Sequence, residues 1–455
     1  MRLDRTYRFS CSVFAAVLFC VFAVTSPLSA ADEEATAKEV MTEELPPGQE
    51  AEAKPWMDNW LLIADFSAFY TRSDVSGSGD TDGGSISALL APVYKFNDRT
   101  FFILMYDGLY YEKREFYSDE LGSKERTEFT SHSITPMVRF DFGKQARYSL
   151  TPSLFHTATY NKDVETDDWD DGLYNYRDYG GGLDFDMRQV FGPYGTFSFG
   201  MQYYEREYPN YTSLLAKAEG IGYLDQAIPN GRNTEKDEQD YDGIIATIGY
   251  SWIRPFGFSW EIAYSRLNKD FDDNKVVGSD GVLTDTDRED DLHGLDVNFW
   301  YTMDVDGGLQ LGVDLNTTTY DSNENFWDGF RTDSSGLFDP DNFTPEYHDH
   351  DTYRIRPNLS YTFALFPLTP SISYSYEKKE YDERLAENSN GSYKSSRQED
   401  ETHVVTVGLR YDFTDNWAGL VQWTYTDQDS NNEDERTYTY DYSMNQYAIG
   451  VSYKY

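Results

Sequence analysis

Gln446-Tyr447-Ala448-Ile449-Gly450-Val451-Ser452-Tyr453-Lys454-Tyr455 is the stretch whose reading decides the fold. Tyr447, Ile449, Val451, Tyr453 and Tyr455 are apolar or aromatic, and the residues between them are small or polar. Strict alternation over about ten residues is the length and pattern of a tilted strand crossing a bilayer. The alternative is an amphipathic edge strand of a soluble domain. An open edge with five apolar side chains would template aggregation in water. In a barrel that edge pairs with the first strand and the apolar face meets lipid.

The whole composition has to be squared with that reading. The 455 residues carry 80 acidic and 38 basic side chains, a net charge of −42. Mean hydropathy is negative, which would exclude a helical membrane protein. A barrel strand needs only every second residue to be apolar, so low average hydropathy is compatible with it. Tyr, Phe and Trp make up 17% of the chain, an excess that aromatic girdles at two membrane interfaces would use. No basic stripe is present, which excludes nucleic acid as a partner.

Residues 1–30 read as a secretory signal: Arg2, Arg5 and Arg8, then an apolar stretch from Cys11 to Val24, then small residues Ser29, Ala30 and Ala31. Both cysteines, Cys11 and Cys20, lie in it, so the mature chain is expected to hold no disulfide and no thiolate-bound metal. Residues 31–58 are rich in Glu, Ala and Pro without apolar periodicity and are expected to be a flexible periplasmic tail.

From Trp60 the alternation recurs, and the spacing predicts a barrel over residues 59–455. Leu62, Ala64, Phe66, Ala68 and Tyr70 share one face; so do Leu295, Val297, Phe299 and Tyr301, and Val405, Val407, Leu409 and Tyr411. Tight turns such as Asn97-Asp98-Arg99 and Arg254-Pro255-Phe256-Gly257 alternate with polar segments at residues 73–84, 117–127, 161–178, 205–240, 268–291, 321–351, 382–401 and 427–441. The expectation is an all-β, transmembrane, antiparallel up-and-down β-barrel of about sixteen strands, with short periplasmic turns and long acidic extracellular loops.

The segment Tyr425-Thr426-Asp427-Gln428-Asp429-Ser430-Asn431, followed by the strand from Tyr447 to Tyr455, resembles the C-terminal hairpin of β-barrel porin families. That resemblance implies fold and outer-membrane location in a Gram-negative bacterium. It also implies that Tyr447, Ile449, Val451, Tyr453 and Tyr455 are an assembly signal read by the barrel-insertion machinery. The Pro-Glu-Phe-Gly-Gly motif of general porins is absent, which argues against a trimeric general porin.

Residues opposite the apolar faces are expected to line the lumen: Asp184, Asp186, Arg188, Asp296, Asp314, Arg354, Arg356 and Arg410. They suit water and hydrophilic solutes; the alternative is that they pair across strands and plug the interior. Residues 205–240 form the least polar of the long loops, and Leu214, Leu215, Tyr223 and Leu224 are candidates for a constriction at the mouth. His348-Asp349-His350-Asp351 has metal-type residues, but a solvated loop shoulder explains it as well. The acidic residues at 163–171 lack the Gly and Glu of a calcium loop, leaving at most weak divalent cations bridging lipid headgroups. No Gly-x-Ser-x-Gly elbow occurs, and neither an enzyme nor a cofactor is expected. The reading is passive passage of small hydrophilic solutes through a barrel set in outer-membrane lipid. Its rivals are an export barrel for a secreted polysaccharide or oligosaccharide and a structural or adhesive surface barrel.

Overall fold

The computed structural model describes residues 59–76, 79–116, 124–162, 168–211, 238–303, 305, 307–327, 343–434 and 440–455. The expected signal segment and acidic tail lie outside these. The strands are β1 (Trp60–Val75), β2 (Gly79–Asn97), β3 (Thr100–Phe116), β4 (Lys124–Phe142), β5 (Tyr148–Lys162), β6 (Tyr176–Arg188), β7 (Gly195–Glu207), β8 (Tyr241–Trp252) and β9 (Gly257–Val277). They continue with β10 (Leu283–Met303), β11 (Leu309–Ser322), β12 (Phe326–Trp327), β13 (Phe343–Thr344), β14 (His350–Tyr361), β15 (Leu368–Glu387), β16 (Tyr393–Asp412), β17 (Trp417–Ser430) and β18 (Tyr442–Lys454). Sixteen close one antiparallel barrel in chain order, and β12 and β13 pair separately as a small ribbon. The expected fold class and strand number are what the chain adopts.

Closure is made by β18, which pairs with β17 on one side and β1 on the other. The seam runs from Val75 opposite Met444 to Asp65 opposite Lys454. Tyr455 extends it, giving its N–H to Ala64 O (2.8 Å) and accepting from Ala64 N (3.1 Å). Gly450 allows close approach here: a Cβ would stand 2.3 Å from the Phe69 ring and 2.6 Å from the Ala68 carbonyl oxygen. The ring can swing away but the carbonyl cannot, so Gly450→Val is expected to cost about 1–3 kcal/mol, read as a lowered denaturation midpoint of the refolded barrel.

Register and exposure separate two faces. The expected apolar parity is outward: Leu154 is 67% exposed, Ile449 59% and Ile86 56%. On the opposite parity Ser149, Thr159 and Ser259 are buried. Aromatic pairs gather on the outward face at the end carrying the tight turns: Trp60 with Tyr94, Phe142 with Tyr148, Tyr194 with Trp252, Tyr361 with Phe363 and Trp417 with Tyr453. A second outward girdle lies toward the loop end. There Tyr106, Tyr264 and Tyr374 hydrogen-bond His132 (2.9 Å), His293 (2.8 Å) and His403 (2.7 Å) across neighbouring strands. Two girdles flanking an apolar band are what a bilayer imposes on a barrel.

The strands overshoot that band, and here the sequence expectation needs correction. Residues 73–84, 268–291 and 382–401, expected as loops, are mostly strand: β1 runs to Val75 and β2 starts at Gly79, and only 278–282 and 388–392 separate the other two pairs. At about 3.3 Å per residue, a strand the length of β10 runs roughly 70 Å, about twice the hydrocarbon thickness. These extensions are paired by the backbone ladder and carry exposed cross-strand charge pairs in place of lipid-facing apolar residues: Arg72 with Asp80 (2.8 Å), Lys275 with Asp287, and Arg397 with Glu383 (2.9 Å). Trp327 of the ribbon caps one tip, covering Gly281 at φ 74 where a Cβ would sit 2.6 Å from the indole.

Candidate functional site: the inner wall

All eight expected lining residues fall on the parity opposite the outward apolar band. The structure brings four of them together on β10, β11 and β14. Asp296, Asn316, Arg354 and Glu377 form one register row, and Asn298, Asp314 and Arg356 the next. Asn316 donates to Asp296 (2.7 Å), and Arg356 Nε donates to Asp314 (2.8 Å). The other four stand apart. Ser149 donates to Asp186 (3.0 Å) on β6, Gly200 leaves room for Asp184, and Arg188 lies 3.8 Å from Asp141. Arg410 pairs with Asp412 (2.8 Å) near the β16–β17 turn. Leu214, Leu215, Tyr223 and Leu224 lie outside the described residues.

His348 and His350 do not form a ligand pair. His348 sits in the connection before β14 and places Nε2 3.3 Å from Glu324, whereas His350 opens the strand and points Nδ1 at the His348 carbonyl (2.6 Å). Among the described residues no group of three or more His, Cys, Asp and Glu has metal-ligating geometry.

A line of rings and cations on the loop-end half of the inner wall was not foreseen. It starts where Arg206 grips Asp178 through two bonds (2.6 and 2.8 Å) and lies over Tyr176, 3.9 Å from its centroid. Tyr204, Tyr241 and Phe271 are buried against one another beside it, with Phe155, Ile245 and Leu267 packed round them. Arg288 follows, 4.7 Å over Phe271, chelating Asp290 (2.8 and 2.9 Å) and donating to Tyr320 OH (3.0 Å). Tyr320, His350 and Tyr381 are direct register partners on β11, β14 and β15, their rings 5.2 and 5.6 Å apart. Arg384 closes the line, 5.0 Å over Tyr381 and 4.6 Å over Tyr347, donating to Tyr440 OH (2.9 Å). Burial pushes Tyr440 up to about 12, so its hydroxyl keeps its proton. The crowded wall, then Arg288 and Arg384, push His348 down to about 4, so it is neutral at physiological pH, with 42% of its side chain still exposed.

The signal for this line is in the sequence. Tyr204 and Arg206, Lys269 and Phe271, and Lys379 and Tyr381 each place an aromatic and a cation two apart on the inner parity. Their position at the ends of expected loops concealed it.

A closed sixteen-strand barrel with an apolar outer band, two aromatic girdles and a polar inner wall defines a porin-like outer-membrane β-barrel. Residues 335–455 match the Gram-negative porin family, in agreement with the C-terminal resemblance. No curated protein matches the chain. Among solved structures it is similar to outer-membrane expressed OmpT of Vibrio cholerae, at 12% identity, 90% of this chain, 100% of that one and a TM-score of 0.44. It is also similar to Pseudomonas aeruginosa OccK3, at 11% identity, 86% of this chain, 96% of that one and a TM-score of 0.40. Acinetobacter baumannii OccAB4 is similar at 12% identity, 90% of this chain, 100% of that one and a TM-score of 0.40.

Proposed function

We propose that the protein is a passive outer-membrane channel for small hydrophilic solutes. The observation that carries this is the inner wall of Asp, Asn, Arg, Ser and Thr in a sixteen-strand barrel, a size that leaves room for water. The solute path runs past Asp184, Asp186, Arg188, Asp296, Asp314, Arg354, Arg356 and Arg410. Membrane lipid surrounds the band. The insertion machinery recognises Tyr447, Ile449, Val451, Tyr453 and Tyr455, and divalent cations associate weakly with the acidic loop-end rim. No step of catalysis is part of this reading.

Its test is the current through refolded protein in a planar bilayer. The chain carries 80 acidic residues against 38 basic, and carboxylates near a mouth raise the local cation concentration. Reversal potentials at low salt are expected to show cation preference, lost near molar salt as the screening length falls to about 3 Å. Absence of conductance from an inserted barrel would remove the channel reading. Anion preference at low salt would overturn the mouth-charge account and point to Arg354, Arg356 and Arg410.

A further inference from the structure

Lys379 and Arg384 are out of place in so acidic a chain. Among the described residues neither has a carboxylate within ion-pair distance. Three of the nearby acids are engaged elsewhere. Asp290 accepts from Arg288, Tyr320 (2.6 Å) and Ser322 (2.6 Å). Asp400 accepts from Gln398 (3.1 Å) and Ser430 (2.5 Å). Glu324 is shared by Arg288 and His348, while Glu377, opposite Arg354 in register and two residues before Lys379 on the same face, is within ion-pair distance of neither. A guanidinium carries five N–H donors, and the described residues take one from Arg384. Desolvating a cation without an anion is unfavourable unless something arrives to meet it.

The two cations sit on rings. Lys379 Nζ is 4.6 Å from the Tyr381 centroid, and Arg384 reaches the same ring after the register shift between Glu380 and Leu385. Tyr320, His350, Lys379 and Tyr381 lie on the inner parity, and they and Arg384 are half-buried. Beside them Thr318, Thr352 and Lys379 are direct register partners, adding hydroxyls to the same patch. Cations for a carboxylate, ring surface for C–H groups and hydroxyls for hydroxyls are the three needs of one solute class.

We infer that Lys379, Arg384 and the row Tyr320–His350–Tyr381 form a subsite for acidic sugars of the uronic-acid type. The carboxylate meets the ammonium and the guanidinium donors that no described residue takes, while the pyranose lies along the Tyr381 side with its hydroxyls toward Thr352 and Thr318. The inference rests on the inner wall being a solute path, but binding can be measured without conduction.

The test is calorimetric titration of the refolded full-length chain in detergent with trigalacturonate, maltotriose and acetate. Trigalacturonate is expected to bind at least about tenfold tighter than either comparator, because charge-assisted contacts and ring surface act together. Lys379→Gln and Arg384→Gln are each expected to weaken it about tenfold and to leave maltotriose unchanged. Arg384 also bridges Tyr347 and Tyr440, so Lys379→Gln decides the matter if the other variant fails to fold. Equal affinity for maltotriose, or unchanged binding in Lys379→Gln, would overturn the subsite; acetate binding as tightly as trigalacturonate would overturn its sugar specificity. Bilayer conductance separates the two readings. Selective binding without current sinks the channel and leaves the subsite, and current without selective binding does the reverse.

Discussion

Deletion of residues 447–455 is expected to abolish barrel assembly, leaving protein that urea extracts from membranes and that shows no heat-modifiable mobility. The loss follows from pairing. In one stroke β1 loses partners from Asp65 to Arg72 and β17 loses partners from Trp417 to Trp423. Two strand edges are then unpaired in hydrocarbon, where each unmet backbone group costs several kcal/mol. Tyr455→Asp is the milder test. It keeps the backbone bonds to Ala64 but puts a carboxylate on an outward position beside lipid, and assembly yield is expected to fall severalfold. A deletion variant that resists extraction and still shifts on heating would mean that β18 does not close the barrel.

The same argument explains what could be read from the sequence. Lipid demands an apolar side chain at every second position, and Leu62 to Tyr70, Leu295 to Tyr301 and Val405 to Tyr411 meet that demand. Strand number and direction were therefore legible, as were the turns at Asn97 and Arg254. Beyond the band nothing enforces the alternation. Lys275 and Asp287, or Arg397 and Glu383, face one another across the ladder as exposed charge pairs, a pattern that reads as polar loop in one dimension.

Parity alone placed Asp314, Arg354, Arg356 and their fellows on the inner wall. It could not say which would meet, because that depends on the stagger between strands separated by long connections. Asp314 finds Arg356, 42 residues on, only through the β11–β14 register. The ring-and-cation line was harder still. Its members come from β6, β7, β8, β9, β10, β11, β14 and β15, and no local window contains more than two or three. An excess of aromatic residues was visible; that part of it faces inward, away from any lipid interface, needed the closed barrel.

Arg206→Met is expected to be the most damaging single change to the inner wall. The Arg206–Asp178 pair is bidentate, and its side chains are 21% and 10% exposed. Tyr176, Tyr204 and Tyr241 surround the guanidinium at 3.9, 5.9 and 5.5 Å. Removing it strands the Asp178 carboxylate among aromatic rings, at a cost of about 3–5 kcal/mol. Denaturation in micelles, followed by tryptophan fluorescence, would register this as a lower midpoint. The double variant Arg206→Met/Asp178→Asn separates the two contributions: with no charge left to bury, it is expected to regain roughly half the loss or more, since the penalty belongs to the unpaired carboxylate and not to the absent bond. The residual deficit measures the cation–π contacts, worth about 0.5–2 kcal/mol in a desolvated setting. If Arg206→Met lies within about 1 kcal/mol of the parent, a value ordinary for surface substitutions, then water reaches Asp178 freely and the wall at β6–β8 is open lumen, with no packed aromatic core.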